Sequence, residues 1–311
     1  MKKNYKYGVI ILNYNTANDA VEAAKSVISN SQNDDYIICI ADNASTKSGE
    51  RNILKNIKLK NTVVCLLDKN NGYACGNNEA FKWIRKSYNF KYTVIMNPDV
   101  IINSKNLIDE LIEEVELEDE DIIGAQPLVN NIGCGINPEE QINIRRVASY
   151  SDCLMNSFWL FKRIFKKKYY KTIYKSNMPY LEKIKFEVPS GAFFLINTEV
   201  FESIGLFDEK TFLYGEENII GFKLKNIQKQ FILIPKLSID HYQGKSTGSH
   251  MKEITKFSQK CEFNSTKYYL THYLKINKFK IGILYLSMWS GYYTKILIFK
   301  FMKKIVNKYR L

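Results

Sequence analysis

The sequence contains none of the cysteine spacings that mark a zinc site. Its six cysteines are scattered and form no C-x-x-C pair, so no zinc ligand set is predicted. We expect reduced thiols and a cytosolic protein. Cys39 and Cys65 lie within apolar, strand-like runs, and both are therefore predicted to be buried.

Several other short motifs are missing as well. No G-x-G-x-x-G follows the first apolar run and no Walker-type loop occurs, which argues against a dinucleotide oxidoreductase and a P-loop enzyme. No repeat of about 20–50 residues is visible. The N-terminal apolar run ends at Asn13 with no small-residue cleavage site after it, so we expect no secretory signal.

Acidic residues are scarce in two parts of a chain whose formal net charge is +13. Residues 152–185 carry nine Lys/Arg and two acids, and residues 275–311 carry nine Lys/Arg and no acid. The rest of the chain is therefore slightly acidic. Both basic segments are also rich in Phe, Trp and Tyr, which favours contact with an anionic surface.

Apolar runs and helical patterns alternate in the first 120 residues. The predicted strands, each typical of a strand buried on both faces, are 7–15, 36–45, 62–68 and 92–100. Helices are predicted between them, so we expect a parallel sheet with helices on its faces. Ligands of such sheets bind beyond the carboxyl ends of the strands. The polar clusters 13–15, 42–45 and 97–99 all fall there.

Two of these polar clusters have alternative interpretations. The Asp99 carboxylate in Asn97-Pro98-Asp99 suits Mg²⁺ or Mn²⁺ bridging phosphate oxygens, but the same tripeptide is a common turn. Asp42, with Asn43 and Ser45, can hydrogen-bond a base or ribose, or can form an Asx-type turn.

A segment rich in Gly and Asn opens the helix after the third strand. Its glycines, beginning with Gly72, allow a ligand to approach the backbone, and a helix N-terminus favours anions. Asn71 and Asn77 flank this approach and are candidates for donor binding. The alternative is a flexible strand-to-helix connection.

The second half of the chain offers further candidates. Ser190 and Gly191 can shape an acceptor pocket, with Gly191 allowing close approach. The adjacent carboxylates of Glu216 and Glu217 repel each other, which raises one pKa and creates a candidate general base. The alternative for this pair is a solvated helix N-terminus. His241, in a predicted polar loop, can complete a metal site with Asp99.

Seven segments, taken together and in this order, resemble family 2 glycosyltransferases: VIILNYN, ADNAS, NNGYACGNN, MNPDV, VPSGAFFLI, FDEKTFLYGEEN and DHYQGKS. They extend over residues 7–246, about three quarters of the chain. More narrowly, they are similar to the rhamnosyltransferase-like branch of bacterial cell-surface polysaccharide synthesis.

This resemblance implies an α/β GT-A fold, with a mostly parallel central sheet flanked by helices and a C-terminal helical extension. The catalytic domain would span 1–250, with a nucleotide-binding part (1–125), a basic aromatic insertion (150–185) and an acceptor and catalytic part (186–250). Residues 251–311 would form the extension.

The resemblance also implies roles for individual residues. Asn13, Tyr14, Asn15 and Asp42 would contact the nucleotide. Asn97 and Asp99 stand where the family has a D-x-D-like metal and phosphate element, and His241 would be a further metal ligand.

On the acceptor side, Tyr214 would join Ser190 and Gly191. Glu217 occupies the place of the catalytic aspartate in a Glu-Asp pair, although Glu216 remains an alternative base. A further family acid is replaced by Ile219.

The activity implied is inverting, metal-dependent transfer of a hexose from dTDP-rhamnose or a UDP-hexose. The cofactor would be Mn²⁺ or Mg²⁺. The acceptor would be a glycan or a polyprenyl-linked sugar in capsule, O-antigen or related synthesis. The protein would then lie on the inner face of the plasma membrane.

The C-terminal extension has three interpretations. Residues 281–294 are uncharged over 14 positions, short of the ~20 that span a bilayer. An interfacial helix on anionic headgroups is predicted. Core packing and a homodimer contact are the alternatives.

Two rival functions follow from other features. The charge and the aromatic residues also fit a nucleic-acid-binding protein, but the strand-and-helix part is not basic and no RNA motif appears, so no nucleic-acid partner is predicted. The changes at Glu217 and Ile219 also fit a catalytically impaired glycosyltransferase-like scaffold.

Overall fold

The computed structural model describes residues 2–133, 137, 141, 144–242 and 255–308. The strands within these residues are β1 (Lys3–Asn13), β2 (Tyr36–Asp42), β3 (Thr62–Leu66), β4 (Tyr88–Met96), β5 (Val100–Ile102), β6 (Ile122–Asn131), β7 (Ile184–Phe186), β8 (Phe193–Asn197) and β9 (Gln230–His241). All belong to one sheet of order β3-β2-β1-β4-β8-β6-β9-β5, with β7 paired to β9.

The first four strands of the sheet are parallel, as the sequence predicts. β1 lies between β2 and β4, and β3 lies outside β2. The other half is mixed, because β8 runs antiparallel to β4 and β6, and β5 and β7 run antiparallel to β9. β8 begins beside the end of β4, where Phe193 pairs with Met96, and it runs from there along β4 in the opposite direction.

Helices cover both faces of the sheet. Their bounds are α1 (Ala17–Asn30), α2 (Glu50–Lys55), α3 (Tyr73–Ile84), α4 (Leu107–Glu116), α5 (Tyr150–Ser157), α6 (Trp159–Ile164), α7 (Lys166–Thr172), α8 (Thr198–Ser203), α9 (Glu216–Asn226), α10 (Lys256–Tyr268) and α11 (Lys278–Lys308). Apolar residues of α1, α2 and α4 form one core with the sheet, and those of α3, α8 and α9 form the other. Because successive strand residues point to opposite faces, Val9 and Ile11 enter the first core and Ile10 the second.

One prediction about β9 is wrong. The sequence suggested that His241 lies in a polar loop after an apolar strand, but His241 is the last residue of β9. The strand continues past Pro235 with alternating burial, since Leu237, Ile239 and His241 are buried. This period-two pattern is the strand signal that the polar residues between them obscured.

The two basic, aromatic segments meet in space. Near the N-terminal end of α11, the Tyr150 hydroxyl donates to the Lys280 carbonyl at 2.9 Å. About two turns later, the Ser157 and Ser287 hydroxyls lie 2.5 Å apart. Trp159 then donates its indole N–H to Thr294 at 3.3 Å. Helices α5 and α6 therefore pack along α11 and form one unit with it.

Cys39 and Cys65 are buried, as predicted, and both are free thiols. Within the described residues, no helix combines the length and apolar character needed to cross a membrane.

Candidate active site

A cleft of about 900 Å³ opens where the parallel strands end, a volume within the range of small-molecule sites. Tyr14 follows β1 and Asn97 follows β4, and both line the cleft. Glu216 and Glu217, at the start of α9, and His241, at the end of β9, line it too. Elements from both halves of the sheet therefore contribute to one site.

Asp99 and His241 lie side by side at this cleft. His241 Nε2 is 3.2 Å from Asp99 Oδ1, and both side chains are buried. The contact follows from strand pairing, since Val100 on β5 lies opposite His241 on β9. The Tyr242 N–H also donates to the Asp99 carbonyl at 2.9 Å.

The hydrogen bonds around His241 fix its tautomer. Asn131 donates its side-chain N–H to Gln141 at 2.8 Å, which turns its Oδ1 towards His241 Nδ1, 2.9 Å away. An amide oxygen only accepts, so Nδ1 carries a proton and donates it to Asn131, while Nε2 faces Asp99.

This arrangement fits a divalent cation. Asp99 Oδ1 is buried and makes no hydrogen bond. Its near neighbour is His241 Nε2, and a proton or a metal ion between the two would offset the cost of burying the carboxylate. The carboxylate is the ligand type that suits Mn²⁺ or Mg²⁺. In the described part of the chain, no group of three or more His, Cys, Asp or Glu side chains could hold a metal. Other ligands must therefore complete a coordination shell around these two.

Two carboxylates begin helix α9 inside the cleft. Glu216 is 3% exposed, and its Oε2 has no hydrogen-bond partner. Burial, followed by the neighbouring Glu217 charge, raises the pKa of Glu216 well above its usual value. Burial also raises the pKa of Glu217, while Arg145 opposes this shift. Glu216 is therefore not the solvated residue of the predicted alternative, whereas Glu217 stays partly exposed in the cleft.

Gly191 makes room for the Glu217 carboxylate. A Cβ at residue 191 would lie 2.0 Å from Glu217 Oε1, so a side chain there would displace the carboxylate. The Gly191 carbonyl accepts a hydrogen bond from the Tyr73 hydroxyl at 2.8 Å. Ser190 is fixed in turn, because its N–H donates to Gln126. The VPSGA segment thus positions Glu217 as well as lining the cleft.

Asp42 organises the loops beyond β1 and β2 and does not itself line the cleft. It accepts hydrogen bonds from Asn13 at 2.9 Å, from the Ser45 N–H at 3.1 Å and from Arg51 at 2.9 Å. Asn15 is engaged similarly, since its Oδ1 accepts the N–H groups of Thr46 and Lys47.

Asn43 is the neighbour of Asp42 that faces the cleft. It donates to Asn70 and to the Gly72 carbonyl, while its buried Oδ1 has no hydrogen-bond partner. Asn43 is therefore a better candidate ligand than Asp42 for a base or ribose.

The structure brings most of the predicted residues to the cleft wall: Tyr14, Gly72, Asn97, Ser190, Gly191, Tyr214, Glu216, Glu217 and His241. Asn13, Asp42, Asn77 and Asp99 are buried beside or behind it, and Asn71 is exposed. None of their functional roles is tested by position alone, so the roles remain predictions.

Sequence reasoning missed several residues of the wall, among them Tyr73, Arg145, Phe212 and Phe257. Tyr73 lies inside the NNGYACGNN segment, but nothing about a single tyrosine there indicates that it lines a cleft. Phe212 lies inside the FDEKTFLYGEEN segment that carries the resemblance. Arg145 and Phe257 reach the cleft only through long-range packing, which no local pattern reveals.

The sequence model described as "Glycosyl transferase family 2" matches residues 8–205, well over half of the chain. The chain belongs to glycosyl transferase family 2. The match extends from β1 through α8 and includes Asp42, Asp99 and Gly191, whereas Glu217 and His241 lie beyond it. A comparison of this family 2 sequence with curated proteins found no match.

Solved structures resemble this family 2 protein in fold and share little sequence with it. GalNAc-T7 with UDP, GalNAc and Mn²⁺ has a TM-score of 0.57 at 17% identity over 85% of this chain, which spans only 47% of the GalNAc-T7 chain. The mannosyltransferase PcManGT from Pyrobaculum calidifontis, in complex with GDP-Man and Mn²⁺, has a TM-score of 0.54 at 13% identity, covering 94% of this chain and 73% of its own. S. aureus TarS 1-349 in complex with UDP-GlcNAc has a TM-score of 0.53 at 13% identity, covering 90% of this chain and 70% of its own. These likenesses confirm the predicted GT-A fold.

Replacing Gly72 by alanine is expected to distort the cleft. Gly72 has φ +95°, and a Cβ there would lie 2.2 Å from the Phe212 carbonyl oxygen. Because backbone cannot move aside as a side-chain tip can, Gly72→Ala should lower the free energy of unfolding by about 2–4 kcal/mol, measured by urea denaturation.

Gly282→Ala is the matched control, since a Cβ there meets nothing within 4 Å. Within helix α11 this change should be neutral or should stabilise by up to about 1 kcal/mol. Equal effects at the two positions would contradict the close approach of Gly72 to Phe212.

Proposed function

We propose that this family 2 protein is an inverting glycosyltransferase that uses a nucleotide-diphospho-sugar and a divalent cation. One observation carries the proposal: His241 and Glu217, far apart in sequence, line a single cleft, and the buried Asp99 carboxylate lies 3.2 Å from His241 Nε2. Solved structures of similar fold contain UDP, GDP-Man or UDP-GlcNAc, two of them with Mn²⁺. That chemistry is compatible with the residues present here.

The donor would bind along the carboxyl ends of β1, β2 and β4. Asn43 Oδ1, buried in the cleft wall without a partner, would accept a hydrogen bond from the base or ribose. Tyr14 and Gly72 line the same wall. Asp99 and His241 would hold the metal ion, with diphosphate oxygens among its remaining ligands. When bound, the ion would neutralise charge on the departing diphosphate.

Glu217 would act as the general base. It is partly exposed in the cleft, whereas Glu216 is buried, so an acceptor hydroxyl can reach Glu217 more readily. Its carboxylate would take the hydroxyl proton as the oxygen attacks the anomeric carbon from the side opposite the diphosphate. The bond to the diphosphate breaks as the new glycosidic bond forms, and the configuration inverts.

The replacement of a family acid by Ile219 does not weaken this role. Ile219 is fully buried and belongs to an apolar cluster with Val188 and Leu270. The cleft therefore keeps the proposed metal ligands Asp99 and His241 and the proposed base Glu217 without an acid at position 219. This favours an active enzyme over a catalytically impaired scaffold.

The proposed donor is dTDP-rhamnose or a UDP-hexose, and the proposed acceptor is a glycan or polyprenyl-linked sugar in surface polysaccharide synthesis. The support is the order of the seven sequence segments, which is similar to the rhamnosyltransferase-like branch. Release of nucleoside diphosphate from a panel of nucleotide-sugars would identify the donor.

The proposal includes attachment to an anionic membrane from the cytoplasmic side. Helix α11 packs one face, including Ile281, Leu284 and Met288, against the protein. The opposite face is an exposed apolar stripe at helical spacing, made of Phe279, Ile283, Leu286, Tyr293 and Leu297. Phe279 is 78% exposed and Leu286 is 69% exposed. An exposed stripe of this kind needs an apolar partner.

Charge favours lipid as that partner over a second copy of the chain. Residues 275–311 carry nine basic residues and no acid, so two such helices brought together would repel. Anionic headgroups would instead attract the lysines while the apolar stripe enters the interface. A homodimer through the same stripe is the outcome that a test must separate.

Asp99→Asn should remove the metal dependence of donor binding. The substitution keeps the size of the side chain but removes the charge that holds the cation. In the presence of Mn²⁺, donor affinity should fall at least about a hundredfold, measured by thermal shift with nucleotide-sugars and with or without Mn²⁺.

Asp240→Asn is the control for Asp99→Asn. Asp240 lies next to His241 on strand β9. It accepts a hydrogen bond from Asn103 at 2.6 Å, away from the cleft. Its substitution should leave the Mn²⁺ effect unchanged. A variant at residue 99 that keeps the full Mn²⁺ effect would contradict the metal assignment.

Glu217→Gln should retain donor binding but reduce turnover by about 10²–10⁴-fold, because an amide cannot accept the proton. Burial raises the pKa of Glu217, and a base works only when deprotonated. The rate in the unsubstituted protein should therefore fall with decreasing pH at a value above the usual ~4.3 of glutamate. Nucleoside diphosphate release against pH measures both effects.

Glu216→Gln is the companion variant. If Glu217 is the base, Glu216→Gln should retain much more turnover than Glu217→Gln. The reverse order would transfer the role to Glu216, and full activity in both variants would exclude a glutamate base at this cleft.

Removing the apolar stripe should release the protein from membranes. The triple substitution Phe279→Ser, Leu286→Ser and Leu297→Ser should weaken binding to phosphatidylglycerol-containing vesicles at least about a hundredfold. Co-sedimentation with anionic and with neutral vesicles, at low and high salt, measures this.

The double substitution Leu117→Ser and Leu181→Ser, at positions 80% and 82% exposed and outside the stripe, is the control and should bind like the parent. The stripe is a subunit interface instead if the parent does not bind vesicles and light scattering shows a dimer for the parent and a monomer for the triple variant.

A further inference from the structure

We infer that helix α10 and the loop before α9 form the binding site for a pyranose ring of the acceptor, with Phe212, Tyr214 and Phe257 as its contact surface. This inference rests on the proposed function and specifies where the acceptor would bind. Phe257 was not singled out from the sequence, and Phe212 was given no role in binding. All three residues lie beyond the family match, which ends at residue 205.

Three aromatic side chains stay exposed within the cleft. Phe212 is 40% exposed, Tyr214 39% and Phe257 61%, and all three line the cleft. Phenylalanine is among the residues most often buried. The Phe212 and Phe257 rings meet edge to face, with centroids 6.0 Å apart and an interplanar angle of 85°. They therefore form a continuous aromatic surface that no other described part of the chain covers.

This aromatic surface rests on a fixed backbone. The Tyr73 N–H donates to the Phe212 carbonyl at 2.8 Å, and the Ser265 hydroxyl on α10 donates to the Leu213 carbonyl at 3.0 Å. The Tyr268 hydroxyl on α10 also donates to Asp208 at 2.9 Å. These contacts hold α10 against the 212–215 loop, so the rings are positioned before any ligand arrives.

The loop also ties the aromatic surface to the proposed base. Tyr214 adopts φ +71°, a left-handed conformation that costs a non-glycine residue roughly 1–2 kcal/mol. Strain of this kind persists where the surroundings impose it and is concentrated at functional sites. Here it reverses the chain directly before α9, so that Tyr214 and the Glu216–Glu217 pair line one cleft.

A pyranose ring matches this surface chemically. One face of the sugar presents C–H groups, which pack on the negative face of an aromatic ring. The hydroxyl groups at the rim need polar partners, and Asn156, Ser258 and Glu262 line the same cleft. Apolar contact with a few polar groups around it is the usual composition of a small-molecule site.

Variants of Phe257 test the inference, because this ring is the most exposed of the three and its loss should disturb the fold least. The probes are methyl glycosides of galactose, glucose, rhamnose and N-acetylglucosamine, which have no lipid tail. Saturation-transfer NMR, with the protein in the presence of Mn²⁺ and nucleoside diphosphate, should show transfer to the ring C–H protons of at least one probe.

Phe257→Ala should weaken that binding about tenfold. Phe257→Trp should retain it, whereas Phe257→Leu, which keeps apolar contact without a ring, should behave like the alanine variant. Phe165→Ala, at an exposed phenylalanine outside the cleft (53% exposed), should match the parent.

Several outcomes would overturn the inference. They are equal binding by the parent and Phe257→Ala, full binding by Phe257→Leu, and no saturation of any probe by the parent. The thermal shift caused by nucleotide-sugar with Mn²⁺ is measured on the same samples. A parent protein that takes up no nucleotide-sugar refutes the proposed function, and one that takes up the donor but fails the glycoside test refutes only the acceptor site.

Discussion

The site depends on one buried contact between a carboxylate and an imidazole at the edge of the sheet. Asp99 and His241 are distant in sequence, and the pairing of Val100 with His241 holds them together. Burial of a carboxylate is unfavourable unless a positive charge, from a proton or a metal ion, lies beside it. Strand pairing, which the core stabilises, thus brings together two groups that the isolated segments would hold apart. The short strand β5, of only three residues, is therefore what places Asp99 beside His241.

A second constraint arises from the paired glutamates. Their burial raises the pKa of both carboxyl groups. At neutral pH, raised carboxyl pKa values lower the free energy of unfolding. Gly191 leaves room for the Glu217 carboxylate. The close approach of Gly72 to the Phe212 backbone holds the loop that leads into helix α9 and its two glutamates. Close approaches at Gly72 and Gly191 thus shape the cleft beside the two glutamates, while strand ends shape it at Tyr14 and Asn97.

The sequence predicted the fold well where local patterns repeat. The buried strands β1 to β4 and helix α1 follow from apolar runs and from the spacing of Ala20, Ala23 and Val27. It failed where long-range pairing decides: His241 belongs to a strand whose polar alternate residues resemble a loop. Asp42 is satisfied internally by Asn13 and Arg51, so Asn43 faces the cleft instead. No local signal could predict that Arg145 and Phe257 reach the same cleft, because both arrive there through packing between distant segments.

Helix α10 contacts both the loop of the proposed acceptor site and helix α11. It packs on the 212–215 loop through Ser265 and on α11 through Phe263, whose ring centroid lies 5.1 Å from that of Tyr285. The helix that would hold the acceptor sugar is therefore in direct contact with the helix that carries the exposed apolar stripe. A sugar attached to a membrane lipid has limited reach above the bilayer, so its binding surface must lie close to the element that touches the membrane. The packing of α10 between cleft and stripe meets that requirement, whereas a free soluble acceptor would impose no such geometry.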